Sequence, residues 1–209
     1  MGSKVPARLT GSTSLQSILQ GSSSLASRIA ELPEIKKPSY CFLLDVSASM
    51  EGECLREMKG GCLEAASTLL RKGLAVSAIA FESEATPIAR AVRSIEEFHA
   101  CVKRLETRGS TALDKALNLA HEIMSEGSGG VVHLITDGLP DNREAALREA
   151  SKLKRSGIVI RCSGVTGADL AFLAQIAGGE PKPQAAVTQA QGLKALISSA
   201  AALPLPRES

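Results

Sequence analysis

The chain predicts an α/β fold: a doubly wound, mostly parallel sheet with one antiparallel edge strand and helices on both faces. Three observations carry this. Tyr40–Leu44 is a continuous apolar run of the kind covered on both sides of a parallel sheet, and Val131–Ile135 reads as a second buried strand. Between such runs lie longer stretches whose apolar residues recur at helical spacing. Glycines at Gly73, Gly127-Ser-Gly-Gly130 and Gly157 punctuate the change from one to the other. With 209 residues the chain suits one domain with a tail or two small domains, and at 44% hydrophobic but only 2% aromatic its core must be built from Ala, Leu, Ile and Val.

The boundaries read as a Ser/Gly/Pro-rich leader over residues 1–38, a folded domain over 39–203 and a short tail, 204–209. In the leader, Leu15, Ile18 and Leu19, then Leu25, Ile29 and Leu32, fall at helical spacing on pieces too short to be stable alone. They would order only by packing on the domain or on a partner. After the first strand, Leu55, Met58, Cys62, Ala65 and Leu69 define one helical face that Gly73 ends. Ala75–Phe81 is the second strand, and Ala85–Ala89 folds back beside it as the antiparallel edge. Ser94 starts a helix running to Leu105, with Glu96 and Glu97 in the turn where the helix dipole favours acids. The loop Thr107–Thr111 leads into a helix with Leu113, Leu117, Ala120 and Met124 on one face. Val131–Ile135 then delivers Thr136-Asp137-Gly138, and Asn142 or Asp141 caps a helix carrying Ala146, Ala150 and Leu153. A strand at Ile158–Cys162, a helix at Ala168–Ala177, a short strand near Ala185–Val187 and a last helix at Leu193–Leu203 complete a Rossmann-like alternation.

In such a sheet ligands bind beyond the carboxyl ends of the strands, where neighbouring crossovers diverge. Asp45-Val-Ser47-Ala-Ser49 follows the first strand and places one carboxylate and two hydroxyls on alternate residues. Gly109-Ser-Thr111 leads into a helix, and Asp137 follows a later strand, so all three loops can meet on one rim. Hard divalent cations such as Mg2+ want oxygen ligands in a near-octahedral shell, and this set supplies only oxygen. Each residue also has a plainer reading. Ser47 and Ser49 could satisfy backbone groups at the start of the next helix, Thr111 with Asp114 could form a capping box, Asp137 could be a turn residue before Gly138, and Asp141 reads as a cap.

The set resembles the von Willebrand factor A (VWA) domain with its metal-ion-dependent adhesion site: Asp-x-Ser-x-Ser after the first strand, a Thr in a second loop and an Asp in a third. Asp45, Ser47, Ser49, Thr111 and Asp137 stand in that order, and the resemblance spans about residues 39–203. It implies that Ser47 and Ser49 hold Mg2+ directly, Thr111 directly or through water, and Asp45 and Asp137 through bridging waters, with Mn2+ or Ca2+ as substitutes. It implies a binding module, not an enzyme, whose metal takes an Asp or Glu from a protein partner. Intracellular members of the family act as adaptors, some beside AAA+ ATPases, others in bacterial operons. The competing class is a metal-dependent phosphohydrolase or phospho-acceptor domain. It would show a second carboxylate and a Lys for phosphate, and Ser stands where that carboxylate should be.

Composition narrows the partner. A formal charge of +2 and no Trp, with one Tyr and four Phe, argue against nucleic acid. No apolar run is long enough for a membrane span, and the first residues lack the apolar core of a signal peptide. Residues 1–30, basic and Ser-rich without an acid, match an organelle transit segment as a lesser reading. Cys41, Cys54, Cys62, Cys101 and Cys162 are odd in number, without a Cys-x-x-Cys pair, and read as reduced, which favours the cytoplasm. His99, His121 and His133 have no zinc-ligand spacing.

Overall fold

The computed structural model describes residues 39–125, 129–178 and 185–205. The leader and its two apolar pieces lie outside the described residues, as does part of the Gly127–Gly130 break. Among the described residues six strands form one sheet in the order β3-β2-β1-β4-β5-β6. They are β1 (Ser39–Asp45), β2 (Val76–Phe81), β3 (Ala85–Val92), β4 (Gly130–Thr136), β5 (Ile158–Val165) and β6 (Ala185–Thr188). All pair in parallel except β3, which runs antiparallel to β2 at one edge. Around them the described residues form six α-helices: α1 (Glu53–Arg71), α2 (Ile95–Lys103), α3 (Leu113–Met124), α4 (Arg143–Arg155), α5 (Leu170–Ala177) and α6 (Leu193–Ala202).

Strand alternation sorts the apolar residues into two cores. Tyr40, Phe42 and Leu44 of β1 face α1, α2 and α6 through Met58, Leu69, Phe98 and Ile197. Cys41 and Leu43 face the opposite layer, where Leu117, Leu153 and Phe172 come from α3, α4 and α5. Burial on both faces is why β1 has no charged residue until Asp45. Two strands are longer than the sequence predicts. β5 runs on through Ser163-Gly164 to Val165 because a side chain at Gly164 would meet Leu173 and Val187 at 2.8 Å, so the glycine is a packing requirement and not a turn. β3 runs to Val92, with register shifts opposite Val76–Ile79, Pro87 within it and Ala91 at φ 48°.

The Thr111–Asp114 capping box does not form. Ala112 occupies the N-cap position of α3 without a side-chain bond. Asn142, not Asp141, caps α4, its side chain accepting the Ala145 N–H at 3.0 Å. None of the five cysteines is paired; Cys41, Cys62 and Cys162 are buried, Cys54 and Cys101 half-buried. Burial pushes the Cys41 and Cys162 thiols up to about 12, which makes them inert packing groups.

Below α6 the sheet carries a buried polar chain that the sequence does not announce. Tyr40 Oη is 2.9 Å from His133 Nδ1, and His133 Nε2 is 2.8 Å from Ser163 Oγ. Arg161, also buried, donates from Nη1 to the Ala200 carbonyl at 2.7 Å and from Nη2 to the Pro204 carbonyl at 2.6 Å. It thereby ties the end of α6 and the turn after it to the sheet, adding to the long 3.4 Å bond that the Ala200 carbonyl accepts from the Leu203 N–H. Burial, with the Arg161 charge adding to it, holds the His133 imidazole neutral, its pKa lowered to about 3.

Candidate metal centre

The strand order reverses between β1 and β4: the chain leaves β1 for β2 on one side and returns through β4 on the other. That switch point opens a crevice at the carboxyl ends, and Asp45 ends β1 while Thr136-Asp137 ends β4. Asp45 is fully buried. Its Oδ1 accepts the Ser47 N–H at 2.9 Å and its Oδ2 accepts the Thr136 hydroxyl at 2.5 Å, so each oxygen fixes one ligand loop. Burial raises the Asp45 pKa, the two donors work against that rise, and the nearby Asp137 charge adds to it.

Past Asp45 the chain turns through a 3-10 segment, Ala48–Met50, with the Met50 N–H donating to the Ser47 carbonyl. The turn brings Ser47 Oγ to 3.1 Å from Ser49 Oγ, and Ser49 Oγ donates to Asp137 Oδ1 at 2.8 Å. Ser47 is buried, whereas Ser49 is exposed, so the row of oxygens runs from the crevice out to solvent. Thr111 arrives from the loop before α3, nearly buried. A methyl group added to Gly138 would lie 3.4 Å from Thr111 Oγ1, so that hydroxyl faces the Asp137-Gly138 turn. Gly109 in the same loop takes φ +73°, and a Cβ there would collide with Glu82 and Ser83; only glycine lets the loop sit against the end of β2.

All five expected residues therefore meet at one rim. Three further residues support them: Thr136, bonded to Asp45, and Ser110 and Asp141, bonded to each other. The sequence marks Thr136 only by its place before Asp137, and Asp141 by the wrong role.

The donor set suits a hard cation. Octahedral ligands about 2.1 Å from Mg2+ stand about 3 Å apart, and the Ser47–Ser49 and Ser49–Asp137 separations are 3.1 and 2.8 Å. A hydroxyl that donates its proton sideways keeps lone pairs for an ion. Among the described residues no three His, Cys, Asp or Glu side chains cluster around a common point, so neither the rim nor any other place offers a soft or carboxylate-rich site.

An open α/β sheet with a polar rim at its switch point defines the class of domain. The chain belongs to the von Willebrand factor type A domain family, whose sequence profile matches residues 41–198. Solved structures share the fold at low identity. Proximal thread matrix protein 1 from the mussel byssus, with a zinc-occupied MIDAS motif, is 21% identical with TM-score 0.68, over 80% of this chain and 46% of that one. Manganese-loaded TRAP protein of Plasmodium vivax is 22% identical with TM-score 0.66, over 82% and 76%. A von Willebrand factor type A protein from Catenulispora acidiphila is 19% identical with TM-score 0.65, over 79% and 43%. This chain spans less than half the length of the mussel and Catenulispora proteins. No curated protein sequence matches it. Among the described residues no helix is long and apolar enough to cross a membrane.

Proposed function

We propose that this chain is a divalent-metal-dependent protein-interaction module: its rim holds Mg2+, or Mn2+ or Ca2+ in its place, and takes an acidic residue from a protein partner. Ser47 and Ser49 supply direct neutral ligands, Thr111 a third, and Asp45 and Asp137 charge through intervening water. A bound divalent ion with two carboxylates and three neutral hydroxyls around it stays electrophilic enough to attract an external carboxylate. The chain's own residues set the rest. Asp45 orients the Ser47 loop and cannot leave its place, being bonded through both oxygens. Ser49, the exposed member, stands where a partner would approach.

The observation that carries this reading is the continuous Ser47–Ser49–Asp137 row of oxygens, open at one end and faced by Thr111. No general base or nucleophile stands beside it in the described residues, which favours binding over the phosphohydrolase class. An adaptor role in the cytoplasm, beside an AAA+ ATPase or another operon-encoded component, is the setting we propose for it. The experiment is calorimetric titration of Mg2+ into the full chain and into Ser47→Ala and Asp137→Ala variants, followed by capture of partners with Mg2+ or chelator. Saturable Mg2+ binding lost in both variants, with a partner retained only in Mg2+, is the expected result. A partner held equally in chelator removes the metal from the function, and turnover of a phosphate ester moves the protein to the other class.

A further inference from the structure

We infer that Asp141, outside the five expected ligands, is the positioning residue that locks the Thr111 loop to the Asp137 loop and so sets the affinity of the rim for its cation. This rests on the metal-binding reading above. Asp141 Oδ2 accepts the Ser110 hydroxyl at 2.7 Å, its Oδ1 accepts the Thr111 N–H at 3.3 Å, and its own N–H donates to the Thr111 carbonyl at 3.0 Å. Both carboxylate oxygens of Asp141 are thus turned to the Thr111 loop. Nor does it cap α4, since Asn142 does that.

The Thr111 loop is stapled on its other side to the ends of β1 and β2. The Arg108 N–H donates to the Val46 carbonyl at 2.8 Å, the Ala112 N–H to the Glu82 carbonyl at 2.6 Å and the Ser110 N–H to Ser83 Oγ at 3.3 Å. Towards the turn after β4, all three hydrogen bonds among the described residues are those of Asp141. Thr111 Oγ1 has no hydrogen-bond partner among the described residues, so its position follows from its backbone, which Asp141 grips on both the N–H and the C=O. One residue, through its carboxylate and its main-chain N–H, thus ties together two ligands 26 positions apart in sequence, on a site whose cation tolerates little departure from octahedral geometry. Outer partners of metal ligands typically change affinity by about 10- to 100-fold when removed.

The test measures Mg2+ and Mn2+ affinity by calorimetry for the full chain, Asp141→Asn, Ser110→Ala, Thr111→Ala and the Asp141→Asn/Thr111→Ala double variant. Amide exchange at Thr111 and thermal melting are followed in chelator. The inference expects Asp141→Asn to weaken binding about 10- to 100-fold, Ser110→Ala to weaken it less, and Asp141→Asn to add nothing once Thr111 is Ala. The Thr111 amide should exchange faster in Asp141→Asn without metal, while the melting midpoint in chelator stays put. Undiminished affinity in Asp141→Asn, or an equal further loss on the Thr111→Ala background, overturns the role of Asp141 and leaves the metal reading standing. A wild-type chain that binds no divalent cation takes down both.

Discussion

The carboxyl rim of the sheet and its face beneath α6 both carry polar residues, but the two groups are finished differently. Beneath α6, Tyr40, His133 and Ser163 bond to one another, and Arg161 is spent on two carbonyls. At the rim, Ser47, Ser49 and Asp137 bond in a row that reaches solvent and leaves lone pairs over, and Thr111 faces them with its hydroxyl free. Apart from Arg161 Nε, which is buried without a partner, the interior group is closed and holds elements together; the rim group is open and suited to a ligand. Leftover bonding capacity at an accessible edge, not polarity, separates the two.

Four changes would break or sharpen that contrast. The largest effect on stability is expected from Arg161→Ala, which removes the two hydrogen bonds to the Ala200 and Pro204 carbonyls and should cost about 1–3 kcal/mol in urea unfolding, with Mg2+ affinity unchanged in calorimetry. A parallel loss of affinity would mean that the interior and the rim are one system. Next, Asp137→Ala should lower Mg2+ affinity by more than about 100-fold, beyond the range for outer partners, and shift unfolding in chelator by less than about 1 kcal/mol.

Third, the neutral His133 makes stability depend on pH. Its pKa falls from 6.5 in the unfolded chain to about 3 in the fold, so between those limits unfolding takes up a proton. Stability should therefore drop as pH falls below 6.5, by about 1.4 kcal/mol per pH unit. His133→Gln should flatten the slope measured between pH 6.5 and 5, above the range where carboxylates titrate. The smallest effect on stability concerns Asp45, which belongs to both worlds, being buried yet at the rim. Because burial raises its pKa, the fold disfavours its charge. Asp45→Asn should then raise the melting temperature in chelator slightly while abolishing Mg2+ binding, a trade of function for stability.

The sequence carries much of the fold and of the rim but not the interior polar group, and the gaps have physical causes. Apolar runs and helical periodicity located all six strands and six helices, because a sheet covered on both sides leaves an unmistakable pattern at Tyr40–Leu44. The rim residues were legible because carboxylate and hydroxyls at alternate positions after a strand have few structural uses together. Arg161 was not: a cation in a strand reads as exposed, and nothing local says that the carbonyls of a helix some 40 residues later will receive it. Asp141 was misread for a similar reason. A residue beside a helix start looks like a cap, and only the tertiary approach of Ser110 and Thr111 gives it other work. The stretch of β5 beyond Cys162 is missed because the packing of Gly164 against Leu173 and Val187 is invisible in one dimension.

The two margins of the sheet bear on how another protein can attach. A foreign strand extends a sheet by hydrogen-bonding along a free, regular edge. At one margin β3 interrupts that ladder with Pro87 and register shifts, and at the other β6 offers only four residues. Backbone addition is thus discouraged at both ends, and aggregation with it, which under the proposed function leaves recognition to side chains where the strands finish.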